Sequence, residues 1–187
     1  YAMDMPLLNQ PDTTWVYSSG NTVMLSLILR QAYGDDAYYR LPHKELFGKI
    51  GMNNTILEAD PSGTLVGGAF VYATARDYAR FGLLYLHGGV WQGERILPRG
   101  WVKYGRTATA RKKYGAHWWL PSAGARNEAK DRGRPLPNDM FFAWGFEGQA
   151  IVVIPSRDLV VVRLGLAYFR NIPPFDYVSD ILAAIPE

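Results

Sequence analysis

The chain has no cysteine among its 187 residues. That excludes disulfides, thiolate metal sites and a cysteine nucleophile, and leaves cytoplasm and periplasm equally open. Histidine is scarce. His43, His87 and His117 stand far apart and share no ligand spacing with a carboxylate, so no metal is expected and each reads as a surface or packing residue. Long apolar runs are missing as well: none approaches the roughly 20 residues that cross a bilayer, so no membrane span is expected. Neither sign of charge dominates, the net charge being +3. Lys and Arg are scattered apart from "RKK" at 111–113, which reads as a solvated turn and not as a nucleic-acid surface. A phosphate loop is also lacking. "GGAFVYA" at 67–73 has glycines but neither the Lys nor the strand–loop–helix context of a nucleotide site. No G-x-S-x-G nucleophile elbow occurs. The opening "YAMDMPLLNQPD" carries no initiator Met and no basic–apolar leader, so the chain is expected to be part of a longer polypeptide.

What is present has the balance of a globular protein, 48% apolar and 20% charged, with length enough to bury a core. After an irregular loop at 6–14, apolar residues run from Val23 to Leu29 and on to Ala32. They lie almost all round a helix, which predicts a deeply buried one, capped near Ser19 and ended at Tyr33-Gly34. "LPHKELFGKIGMNN" at 41–54 reads as a second helix, with Pro42 in its first turn, Leu46, Phe47 and Ile50 as its stripe and Gly51 at its end. In "TARDYARFGLLYLHGG" at 74–89, Thr74 and Asp77 have the spacing of a capping box and Gly88-Gly89 close the segment. A turn and a short helix near Trp101 follow.

Beyond residue 113 the pattern changes. "YGAHWWL" at 114–120 has strand character, with one of Trp118 and Trp119 toward the core. The stretch 121–139, rich in Gly, Pro and charge, reads as a surface loop. "FFAWGF", "QAIVVIP" and "LVVVRLGLA" are dense in β-branched and aromatic residues and read as strands, 149–167 being an antiparallel hairpin. "FDYVSDILAAI" at 175–185 is an amphipathic terminal helix. Helices, then strands, then a helix predict an α+β fold, an antiparallel sheet covered by helices, and not alternating βαβ units.

Two short stretches could carry chemistry. In "WVYSSGNTVMLSLIL" at 15–29, Tyr17 stands just ahead of the first helix. A phenol titrates near pH ~10 in water, and only beside cations does it become a proton acceptor at neutral pH. A packing tyrosine fits the same position. In "WGFEGQAIVVIP", Phe146-Glu147-Gly148 opens a strand after Gly145. Such a turn lets a substrate lie along the strand edge while a backbone N–H faces its carbonyl oxygen, and it is equally the turn of a plain hairpin.

Together with "LFGKIGMNNT", "GTLVGGAFVYATARDYARFGLLYLHGGVWQGERIL" and "YGAHWW", these stretches make the chain resemble the β-lactamase-related serine hydrolases. That superfamily holds class C β-lactamases, D-alanyl-D-alanine peptidases, family VIII-type esterases and 6-aminohexanoate-dimer hydrolases. The likeness runs from about residue 6 to residue 167 and is most specific in "ATARDYARFGLLYL" and "GFEGQAIVVIPSRDLVVV". It implies the β-lactamase/penicillin-binding-protein-like fold with its N-terminal part missing. Residues 1–110 would belong mostly to part of an all-helical lobe and carry the Tyr motif. Residues 111–187 would be the last strands and closing helix of the α/β lobe, the two together making one incomplete catalytic domain.

The family uses a Ser-x-x-Lys nucleophile, a Tyr-x-Asn or Tyr-x-Ser proton-transfer motif, and a Lys-Thr-Gly or His-x-Gly strand. Tyr17-Ser18-Ser19 matches the second motif, which implies Tyr17 as general base and Ser19 at the substrate amide. Phe146-Glu147-Gly148 matches the third, with the Gln149 N–H as an oxyanion donor. Ser18, Ser19, Ser26, Ser62, Ser122, Ser156 and Ser179 all lack a lysine three residues on, so the nucleophile is expected upstream, on the missing N-terminal part of the same polypeptide. Phe146 replaces the usual cation and Glu147 adds a negative charge, which disfavours a β-lactam carboxylate. The resemblance implies a cofactor-free acyl-enzyme hydrolase acting on a small-molecule ester or amide. The alternative is an inactive family member that binds a ligand or partner.

Overall fold

Glycine 34 sets the first boundary of the fold, since its positive φ of 72° ends the leading helix and turns the chain directly into the next. The computed structural model of the protein describes residues 5–11, 13–110, 112–167 and 174–185. Arg111 of the basic cluster and Asp12 of the leading loop lie outside them. The chain divides into two compact units, Tyr1–Asp77 and Tyr78–Glu187.

In the first unit, α1 (Ser19–Tyr33) is preceded by Ser18 in extended conformation, and α2 (Asp35–Tyr38) follows Gly34. Arg30 near the end of α1 holds this corner. Its guanidinium grips Asp35 at 2.7 and 3.0 Å and donates to the Ser62 carbonyl at 2.6 Å. The expected helix over 41–54 is shorter: the chain is helical from Leu41, passes into a π-helical turn at His43–Phe47 and unwinds through turns to Gly51. Its purpose in packing survives, because Ile50 and Met52 are buried. Strands β1 (Thr55–Leu57) and β2 (Val71–Ala73) pair antiparallel, Ile56 opposite Tyr72.

The expected deep burial of α1 is corrected. Leu25, Ile28 and Leu29 are 54%, 50% and 45% exposed, and Ser26 is the one fully buried residue of the helix. Apolar side chains surround α1 on every side. Among the described residues the unit covers it where Ser26 meets Tyr38 and where Gly67 and Gly68 approach its first turns.

α3 (Ala75–Leu86) begins in the first unit and runs into the second. Thr74 caps the helix as the spacing predicts: its Oγ1 accepts the Asp77 N–H at 3.1 Å and donates to Asp77 Oδ2 at 2.8 Å. The helix closes on Gly88 and Gly89, the latter donating to the Leu84 carbonyl. β3 (Val90–Trp91) and β4 (Glu94–Arg95) form a small hairpin, followed by α4 (Trp101–Gly105).

The second unit is built on a three-stranded antiparallel sheet of β5 (Phe141–Trp144), β6 (Ala150–Ile154) and β7 (Leu159–Arg163), in that order. Every residue of β6 is buried, as expected of a central strand covered on both faces. Alternation sorts the side chains. Phe142, Ala150, Val152, Ile154 and Val161 face the terminal helix α6 (Pro174–Ala184), whose Phe175, Val178 and Leu182 complete that cluster. Phe141, Val153 and Val160 face the other way, toward Phe81 and Tyr85 of α3 and Val102 of α4. The α+β expectation and the three strands are therefore borne out.

Two local expectations are corrected. Residues 121–139 hold a helix, α5 (Ala123–Asp131), capped by Ser122 Oγ accepting the Ala125 N–H at 3.1 Å. Pro and Gly on either side and Gly124 within it hide the helix formers of this stretch, Ala125, Arg126, Glu128, Ala129 and Lys130. Residues 114–120 make isolated bridges and no regular strand. Trp119 exchanges both backbone bonds with Phe142, and Trp118 is buried against Tyr85 and Phe141 on the α3 side.

Candidate functional site

Tyr17 lies immediately before the helix cap and is 57% exposed, its ring 5.9 Å from that of Trp15. Ser19 is the first residue of α1 and is also exposed. Their surroundings come from a segment with no obvious role in sequence. A Cβ on Gly68 would stand 3.0 Å from Ser19 Cβ, and one on Gly67 would stand 2.9 Å from Thr22 Cγ2. The two glycines thus bring backbone against the first turns of α1, which any side chain would push away. The nearby glycines of "GGAFVYA" are packing residues for the tyrosine motif.

Phe146, Glu147, Gly148 and Gln149 form the turn between β5 and β6 in the second unit. Glu147 and Gly148 both have positive φ, 56° and 75°. The Gly145 N–H donates to the Gln149 carbonyl at 2.8 Å and closes the hairpin. The Gln149 N–H donates to the Phe146 carbonyl at 3.3 Å, a long bond. Phe146 points outward, 72% exposed, and Gly148 is buried. Glu147 Oε2 accepts the Ala167 N–H at 2.9 Å. Arg163, the last residue of β7, donates to the carbonyls of Glu147 at 3.2 Å and Gly148 at 3.0 Å.

Burial pushes the Tyr177 phenol of α6 up to about 12, against the opposing pull of the Arg163 charge. Trp144 Nε1 and the Tyr177 hydroxyl are buried without a hydrogen-bond partner among the described residues. A surface hollow of about 220 Å³ between α5 and α6 holds none of the expected site residues. Its arginines are committed: Arg132 pairs with Glu128 and Asp176, and Arg134 with Asp180. Among the described residues no group of three or more His, Asp and Glu is placed to hold a metal, and no helix is long and apolar enough to cross a membrane.

The expected site residues thus form two local arrangements: Tyr17 and Ser19 with Gly67-Gly68 in the first unit, and Phe146–Gln149 with Arg163 and Ala167 in the second. The sequence model of the beta-lactamase family matches residues 1–173, which takes in both. The chain belongs to the beta-lactamase family. It is similar to the 6-aminohexanoate-dimer hydrolase of Paenarthrobacter ureafaciens, 26% identical over 163 residues that make up 79% of this chain and 38% of that protein. Among solved structures, a candidate 6-aminohexanoate-dimer hydrolase from Bacillus anthracis superposes with a TM-score of 0.75 at 21% identity, over 100% of this chain and 49% of the other. A beta-lactamase from Mycobacterium bovis superposes with a TM-score of 0.67 at 19% identity, over 95% and 66%. These last two likenesses establish the fold. The chain spans about half the length of the first of them, and less of the Paenarthrobacter protein.

Arg163 and Ala167 are the site neighbours that sequence reasoning missed. They lie 16 and 20 positions beyond Glu147, and only the strand pairing brings them back to it.

Proposed function

We propose that the polypeptide carrying this chain is a serine hydrolase that cleaves a small ester or amide through an acyl-enzyme. The observation that carries the reading is the family match across residues 1–173, which spans the Tyr17-Ser18-Ser19 and Phe146-Glu147-Gly148 motifs together. The nucleophile is assigned to a Ser-x-x-Lys outside this chain, because none of its serines has lysine at the third position on.

In this mechanism the serine Oγ attacks the substrate carbonyl carbon while Tyr17 takes the hydroxyl proton. Tyr17 returns that proton to the departing alkoxide or amine as the C–O or C–N bond breaks. A water molecule then gives its proton to Tyr17 and bonds to the acyl carbon. As the bond from that carbon to the serine Oγ breaks, Tyr17 passes the proton to Oγ, which releases the acid and regenerates the serine. Ser19 contacts the substrate amide, and Phe146 to Gly148 flank the bound chain. The Gln149 N–H, which makes a long bond to the Phe146 carbonyl, supplies one donor to the oxyanion. With Phe146 and Glu147 where a cation is usual, a carboxylate beside the scissile bond finds no counter-charge from this motif. Neutral esters and linear amides are the favoured substrate class.

A fluorophosphonate probe on the full-length polypeptide tests the reading, followed by hydrolysis of simple esters and amides. One labelled serine, followed three residues on by lysine, is expected. Tyr17→Phe is expected to lower turnover by about 100-fold or more, the scale of a lost general base. Absence of both labelling and turnover in folded protein would replace this reading with that of a ligand- or partner-binding family member.

A further inference from the structure

Glu147 keeps a left-handed backbone, φ 56° and ψ 27°, at a position where glycine would be free of strain. Its side chain is engaged: the carboxylate accepts the Ala167 N–H at 2.9 Å. One residue on, Gly148 is left-handed too, and it is buried. The hydrogen bonds inside this turn are weak where they matter. The Gly148 N–H reaches the Gly145 carbonyl and the Gln149 N–H reaches the Phe146 carbonyl, both at 3.3 Å. The 2.8 Å bond from the Gly145 N–H to the Gln149 carbonyl closes the base of the hairpin, and at the left-handed residues the turn itself contributes these two long bonds. Additional restraint comes from outside the turn. Arg163 lies opposite Ala150 in the β6–β7 register, and Ala150 lies opposite Trp144, so the guanidinium stands at the mouth of the β5–β6 hairpin. From there a single nitrogen, Nη1, donates to the carbonyls of Glu147 and Gly148. The two ties act from opposite directions. Arg163 holds the turn's carbonyls from β7, while the Glu147 carboxylate holds the segment that continues from β7 to Ala167.

We propose that Arg163 and Glu147 form a positioning pair that fixes the 145–149 turn, and with it the direction of the Gln149 N–H. Neither residue needs to touch the reacting atoms for this. Fixing two carbonyl oxygens sets the planes of the peptides that contain the Gly148 and Gln149 N–H groups, because each peptide unit is planar. The consequence for acyl transfer rests on the hydrolase reading above; the pinning of the turn does not.

Amide hydrogen exchange therefore comes first and requires no turnover. In Arg163→Met the amides of Gly145, Gly148 and Gln149 are expected to exchange about tenfold faster or more, while those of Val152 and Val153 in β6 keep their protection. Arg163→Lys, which still places a donor there, is expected to restore most of it. Glu147→Gln retains an acceptor for the Ala167 N–H and Glu147→Ala does not, so Ala167 exchange is expected to rise only in the second. This second pair tests the proposal even where Arg163→Met fails to fold. Unchanged exchange in folded Arg163→Met, or equal Ala167 exchange in the two Glu147 variants, overturns the pair.

In the full-length polypeptide Arg163→Met is expected to lower kcat by about tenfold or more with KM nearly constant, since a misaimed donor is felt in the transition state. Arg163→Lys recovers it. Faster exchange with unchanged kcat overturns the positioning role. If no variant, nor the parent, turns over any ester or amide, the exchange results still decide the pair and only the hydrolase reading falls.

Discussion

Ser26 Oγ and the Tyr38 hydroxyl meet at 2.6 Å inside the first unit, and the same hydroxyl accepts the Leu65 N–H at 2.8 Å. One phenol oxygen therefore joins α1, α2 and the loop that carries Gly67 and Gly68 to the tyrosine motif. Tyr38 is 1% exposed, so no water replaces it cheaply. Tyr38→Phe leaves a buried N–H and a buried hydroxyl unpaired and is expected to cost about 1–3 kcal/mol. Ser26→Ala removes one partner while Tyr38 keeps Leu65, for a loss of about 1 kcal/mol. Urea midpoints at constant slope measure both. Equal losses would show that the Leu65 bond contributes nothing.

Gly82 on α3 packs its backbone against the sheet of the second unit. A Cβ there would lie 2.6 Å from Val160 Cγ1 and 3.1 Å from Ile151 Cγ2. Gly82→Ala gains about 1 kcal/mol of helix propensity. The collision with a stiff β-branched side chain outweighs that gain, and a net loss of about 1–3 kcal/mol is expected. Val160→Ala opens the space, so the double variant should be less destabilised than the sum of the singles, a coupling read from a double-mutant cycle. Strict additivity would refute the contact.

Local signals in the sequence were sufficient where one stretch of chain decides its own structure. Strand β5 follows from its aromatic residues and β6 and β7 from their β-branched runs, and the cap of α3 follows from Thr74 and Asp77 at the right spacing. Signals failed where neighbours decide. The π-helical turn at 43–47 and the bridges at 114–120 depend on tertiary packing, and α5 was masked by Pro121, Gly124, Gly133 and Pro135. For the site, Tyr17-Ser18-Ser19 and Phe146–Gln149 were visible as short motifs. The packing of Gly67-Gly68 against Ser19 and Thr22, and the reach of Arg163 to Glu147, depend on contacts made after folding and leave no mark on neighbouring residues.

Acid should weaken the first unit through Asp60. Its Oδ1 accepts the Ser62 hydroxyl at 2.6 Å and the N–H groups of Ser62 and Thr64, each at 2.9 Å. These bonds, the Ser62 hydroxyl foremost, hold its carboxyl below the ordinary range. Asp35 is depressed likewise by the Arg30 guanidinium. A depressed carboxylate contributes stability above the unfolded value of about 4, which is lost as pH falls through the lower folded value. Asp60→Asn should therefore flatten the fall in stability below about pH 4. An unchanged acid limb in chemical-denaturation series would remove Asp60 from the account.

Tyr177 tests the opposite end of the pH range. Its phenol is pushed up to about 12 by burial, and its hydroxyl finds no partner among the described residues. A raised phenol favours the fold below the unfolded value of about 10 and loses that contribution as pH climbs through the folded one. Tyr177→Phe removes an unpaired buried hydroxyl and keeps the ring in the cluster formed by α6 and the sheet. It is expected to be neutral at pH 7 or stabilising by up to about 1 kcal/mol. It should also abolish one alkaline step between about pH 10 and pH 12. A loss of stability at pH 7 would mean that the hydroxyl has a partner, with ordered water the first candidate.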